Sequence, residues 1–178
     1  KPTVQEIAFS EDTESLFARF RHLDGAVWLD SGKPRSLQGR FDIISALPEI
    51  TLQSTRQGTT RISRTGGTTQ EVNNNPFSTA WEIIVDQGLT GDEYNHIPFC
   101  GGMIGYFSYD LGEHQFSVKR NRAYHAPTSH LGWYGWGIIT NHQSSKAWLV
   151  IHPKCDPGTV TRIKDILNNP EAATPPGV

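Results

Sequence analysis

The sequence predicts an α+β fold, mainly antiparallel sheet in two packed sheets or layers, with about three helices. Three observations carry this. Strand-like apolar runs outnumber helical ones. Two pairs of runs are joined by short turns, at Gly66-Gly67 and across Asn141-His142-Gln143-Ser144-Ser145. Three stretches open with a helix cap, at Asp12, at Asn75-Pro76 and at Asp156-Pro157.

Taken in order, Val4 to Phe9 reads as a first strand. Asp12 then caps a helix with Ser15, Leu16, Phe17, Phe20 and Leu23 at helical spacing, and Gly25 ends it. Ala26 to Asp30 reads as a buried strand, and the segment from Gly32 to Gly39, with Pro34, as a loop. Phe41 to Leu47 is strand, Pro48 breaks it, and Ile50 to Ser54 continues in alternation. Gly58 to Arg64 and Thr68 to Val72 flank Gly66-Gly67 as an exposed edge hairpin, because few of their residues are large and apolar. Asn75 caps a helix with Trp81, Ile84 and Val85 on one face and Gly88 at its end. Gly91 to Asn95 reads as an acidic loop, Phe99 to Tyr109 as strand, and residues 112 to 130 as a polar connection. Leu131 to Thr140 and Lys146 to Ile151 form the second hairpin, and Asp156 caps a last helix with Val160, Ile163, Ile166 and Leu167.

At 178 residues the chain is long enough for one well-filled core. The expectation is one domain over residues 1–167 and a flexible tail or linker, with three prolines, over 168–178. A net charge of −2 offers no basic field for nucleic acid, and Lys119, Arg120 and Arg122 read as a solvated loop. No run approaches the ~18 apolar residues of a membrane span. The start, Lys1-Pro2-Thr3-Val4, has neither a signal-peptide core nor an initiator methionine, so the chain is expected to be trimmed or excerpted. Two cysteines, Cys100 and Cys155, make no disulfide framework, and a reducing cytoplasm is the expected location.

Self-contained chemistry finds little support. Gly101-Gly102-Met103-Ile104-Gly105 lacks the Lys-Ser/Thr of a nucleotide loop, and glycines inside a strand mark close backbone approach. The seven histidines are scattered; Glu113-His114 and His152-x-x-Cys155 each lack further metal ligands at short spacing. No nucleophile elbow is present, and Ser108 sits mid-strand. Asp30, Asp42 and Asp110 read as strand-end caps and loop hydrogen-bonders rather than catalytic acids. Trp133-Tyr134-Gly135-Trp136 puts aromatics on both faces of one strand, which implies cover on both sides or a partner surface.

Two segments are more specific. Ala26-Val27-Trp28-Leu29-Asp30-Ser31-Gly32 is followed by Gly39-Arg40-Phe41-Asp42-Ile43-Ile44, and later comes Pro98-Phe99-Cys100-Gly101-Gly102-Met103-Ile104-Gly105-Tyr106-Phe107-Ser108-Tyr109-Asp110-Leu111-Gly112. In this order they resemble the amino-terminal domain of the chorismate-utilising enzymes of the anthranilate synthase component I superfamily. The resemblance runs from about Phe17 to Pro153, and Arg40-Phe41-Asp42-Ile43 tilts it toward the aminodeoxychorismate synthase component I branch.

The resemblance implies an anthranilate synthase component I N-terminal-type fold and a chain that is one part of a longer enzyme. The chorismate site, its Mg²⁺-binding glutamates and the ammonia-activating base of such enzymes belong to a carboxy-terminal domain, so this chain is expected to be inactive alone and to hold no cofactor. The implied partners are that chorismate-binding domain, a glutamine amidotransferase subunit and L-tryptophan, with neither nucleic acid nor membrane. The implied tryptophan pocket falls on Leu29, Asp30 and Ser31 and on Arg40 and Phe41, with Ser31 and nearby backbone toward the ammonium and Leu29 and Phe41 as apolar walls. Gln38 stands where related enzymes can carry an aromatic residue, and the remaining walls normally come from the other domain. A strand–loop–strand corner without a ligand is the other reading of these residues. For the whole chain the alternatives are the amino-terminal regulatory domain of an anthranilate synthase, inhibited by tryptophan, and a free-standing amino-acid-binding module.

Overall fold

Each expected cap closes its helix in the computed structural model, which describes residues 1–32, 39–55, 58–88, 96–109, 111 and 127–169. Asp12 accepts from the Ser15 amide at 3.0 Å and starts α1, Thr13–Ala18. Asn75 accepts from the Phe77 amide at 2.9 Å and starts α2, Pro76–Gln87. Asp156 accepts from the Thr159 amide at 2.7 Å and starts α3, Pro157–Asn168. Each cap satisfies an amide that the first helical turn leaves without an intrahelical partner.

Among the described residues ten strands form two five-stranded sheets, and every registered pair is antiparallel. The strands are β1 Thr3–Ile7, β2 Val27–Leu29, β3 Phe41–Ser45, β4 Ile50–Ser54, β5 Thr60–Arg64, β6 Thr69–Val72, β7 Gly102–Phe107, β8 Ser129–Tyr134, β9 Trp136–Asn141 and β10 Lys146–Ile151. One sheet has the order β1-β10-β9-β3-β2 and the other β6-β5-β4-β8-β7. The α+β class expected from the sequence is the class observed, with three helices among the described residues.

The chain divides into two compact units, one of residues 1–47, 90–102 and 134–178, the other of residues 48–89 and 103–133. In the first, α1 and α3 cover one face of the β1–β2 sheet. Their apolar side chains (Leu16, Phe20, Ile163) pack with Ile44, Trp136, Ile138 and Leu149. On the opposite face Ile139, Trp148 and Val150 pack with Ile97, and Phe41, Ile43 and Phe99 lie against them. In the second unit Ala80 and Ile83 of α2 pack on Ile50, Leu52, Ile62, Leu131 and Trp133.

Several elements differ from expectation for identifiable reasons. The first helix stops at Ala18; Phe20 and Leu23 stay buried through successive three-residue turns, Phe20 N–H to Phe17 O and Leu23 N–H to Phe20 O. The strand expected to be buried at 26–30 is the three-residue strand β2, at the edge of its sheet among the described residues, and Leu29 is 44% exposed. On α2 the buried side is Thr79, Ala80 and Ile83, whose small members allow close approach to the sheet, whereas Trp81 and Val85 are more than half exposed.

The run Leu131–Thr140 is not one strand. It divides at Gly135 into β8 and β9, which belong to different sheets. The segment 41–54 divides likewise into β3 and β4, so that β3 pairs with β9 and β4 with β8. Between these registers residues 45–49 on one strand correspond to 134–137 on the other, and Leu47, at φ +56°, takes up the extra residue. Trp133 and Trp136, read from sequence as two faces of one strand, therefore belong to two separate cores. Trp136 is anchored by its Nε1–H to the Ala46 carbonyl at 2.8 Å, and its own carbonyl accepts from Ser45 Oγ at 2.7 Å.

The glycine-rich segment behaves as close backbone approach requires. Gly101, at φ +102°, precedes β7 and shortens the strand expected from Phe99. A Cβ on Gly105 would overlap the His130 carbonyl and lie 2.7 Å from Leu131 Cα, both backbone atoms of β8. Gly105→Ala is therefore expected to destabilise the protein by at least about 2 kcal/mol in chemical denaturation, because the strand must move to admit the methyl group.

Candidate functional site

The polar centre of the first unit is Asp42, the second residue of β3. Alternation places Phe41 and Ile43 on the Ile139–Trp148 face and Asp42 and Ile44 on the helix-covered face. The Asp42 side chain is fully buried there, and at least four hydrogen bonds reach it. Thr13 Oγ1, in the first turn of α1, donates to Oδ2 at 2.6 Å. The Ser31 amide and hydroxyl donate to Oδ1 at 3.0 and 2.8 Å. His142 Nε2, just beyond β9, lies 2.9 Å from Oδ2, and because an ionised carboxylate only accepts, this nitrogen carries the hydrogen.

The electrostatic outcome is a contest. Burial raises the Asp42 carboxyl pKa, but the hydrogen bonds from Thr13, the Ser31 amide, His142 and the Ser31 hydroxyl outweigh it and hold the group well below its ordinary 3.8. The His142 ring is also fixed from the side by Phe9, edge to face at 6.1 Å, and its backbone amide donates to the Arg40 carbonyl at 2.9 Å.

The five residues predicted to form the pocket share the open end of the β2–β3 pair, but not one face. Leu29 lies opposite Ile43, on the same face as Phe41. Arg40 sets its guanidinium 5.0 Å over the Phe41 ring and donates from Nη1 to Gln143 Oε1 at 3.0 Å. Asp30 is exposed and accepts from the Gly32 amide at 2.9 Å, a turn that redirects the chain after β2. That turn delivers the Ser31 hydroxyl to Asp42, at the rim of the helix-covered face.

Asp42 is a correction to the sequence reading, which took it for a strand-end cap: it lies within the strand and joins three segments. Thr13 and His142 were not anticipated at all. The available signal was a carboxylate at an inward-facing position of an apolar strand, which demands donors from elsewhere. Asp30 does hydrogen-bond within its loop. Gln38, Asp110, Glu113-His114, His125 and the basic cluster at Lys119, Arg120 and Arg122 lie outside the described residues, as does the tail from residue 170. Among the described residues no group of three His, Cys, Asp or Glu is arranged to hold a metal ion, and no helix is long and apolar enough to cross a membrane.

In the second unit a hollow of about 800 Å³ opens beside the start of α2, with Ser54, Thr60, Asn75, Phe77, Phe107 and Ser108 in its wall. Phe77 and Phe107 stack there at 4.4 Å. It contains none of the residues predicted from sequence.

No family model matches the chain. Aminodeoxychorismate synthase component 1 of Klebsiella aerogenes is 32% identical over 133 residues, 73% of this chain and 29% of that protein. The protein of the same name from Escherichia coli (strain K12) is 29% identical over 154 residues, 85% of this chain and 34% of that one. Anthranilate synthase component 1 of Methanothermobacter marburgensis is 25% identical over 142 residues, 80% of this chain and 29% of the relative. The chain thus spans about a third of the length of these curated relatives. The crystal structure of anthranilate synthase component I from Streptococcus pneumoniae TIGR4 superposes with a TM-score of 0.56 at 18% identity, covering 97% of this chain and 38% of that one, a likeness of fold.

Removing the Asp42 carboxylate leaves His142 and Thr13 buried without their acceptor, so Asp42→Ala is expected to cost about 3 kcal/mol in urea denaturation. The pH dependence has a definite sign. A carboxyl depressed in the folded state supplies stability that is complete above its unfolded value of 3.8 and is lost as pH falls toward the folded value. Urea midpoints followed from about pH 6 to about pH 3 are expected to fall more steeply for the parent chain than for Asp42→Asn.

Proposed function

We propose that this chain, which belongs to the component 1 family of aminodeoxychorismate and anthranilate synthases, is the amino-terminal, tryptophan-pocket-bearing domain of an aminodeoxychorismate synthase component I. The observation that carries this reading is the similarity to relatives named aminodeoxychorismate synthase component 1, at 29% to 32% identity over 73% to 87% of the chain. The whole protein then replaces the chorismate hydroxyl with an amino group, using ammonia from a glutamine amidotransferase subunit, in the cytoplasm. Chorismate and Mg²⁺ are assigned to a carboxy-terminal domain. This chain supplies a rigid scaffold and part of an amino-acid pocket.

The pocket reading is supported by chemistry at the end of β2. Leu29 is exposed beside Phe41, giving an apolar surface for an indole. Arg40 offers a cation for a carboxylate, and Asp30 and Ser31 offer oxygen acceptors for an ammonium. A second reading, the regulatory domain of an anthranilate synthase, is favoured by the relatives of that name at 25% to 32% identity. In that case the same pocket is an inhibitory switch.

Calorimetric titration of the chain with L-tryptophan, with chorismate in parallel, tests the proposal: tryptophan is expected to bind and chorismate not. Leu29→Ser is expected to weaken tryptophan by about 1 kcal/mol with little change in stability, since the side chain is already 44% exposed. Chorismate binding, or indifference to tryptophan, would argue against the assignment. A longer protein carrying this segment that makes anthranilate would decide for the second reading.

A further inference from the structure

We draw no further inference here: the strongest candidate, the exposed apolar face of α2 formed by Phe77, Trp81 and Val85, with Phe107 stacked on Phe77 in the wall of the hollow, carries nothing because no feature of the described residues shows what covers it.

Discussion

A carboxylate buried in a sheet is the constraint around which the first unit is organised. Removing Asp42 from water without compensation costs several kcal/mol, so the surrounding chain must bring donors to it. Those donors come from far apart in sequence: Thr13 at the start of α1, Ser31 after β2 and His142 after β9. Placing them specifies where α1 begins, which way the chain turns after the edge strand, and how β9 ends. Of these donors, Ser31 is also one of the residues of the proposed pocket.

The second organising feature is the pair of chain segments that pass from one sheet to the other. β3 continues into β4 and β9 comes from β8, and the partners stay the same in both sheets. One extra residue on the first segment, absorbed at Leu47, reconciles the two registers. This is how Trp133 and Trp136, three positions apart, come to fill different cores. In its own sheet β2 is a short edge strand whose last residue, Leu29, is exposed.

Asp42 is saturated with donors and its carboxyl is held ionised, a poor starting point for a general acid at neutral pH. Among the described residues the end of β2 presents the exposed Leu29, the Arg40 guanidinium and the oxygens of Asp30 and Ser31, the groups from which the proposed pocket is built. This fits a chain that spans about a third of its curated relatives, with the chemistry proposed to lie in the remainder.

Local rules reached far along this chain. Asp12, Asn75 and Asp156 announced the three helices because a cap is a contact between neighbours, and Gly66-Gly67 announced its hairpin for the same reason. Leu29 and Phe41 end up near one another because β2 and β3 are paired. Tertiary structure alone decided the rest. The buried face of α2 is Thr79, Ala80 and Ile83, with Ile84 partly buried beside them, whereas the equally apolar Trp81 and Val85 stay exposed, a choice that only the packing of the helix on its sheet makes. The division of Leu131–Thr140 between two sheets follows from its pairing with residues 41–54, about ninety positions away, which no local pattern records. The donors of Asp42 were hidden for the same reason: a buried charge declares that it needs partners, but only the folded chain selects them.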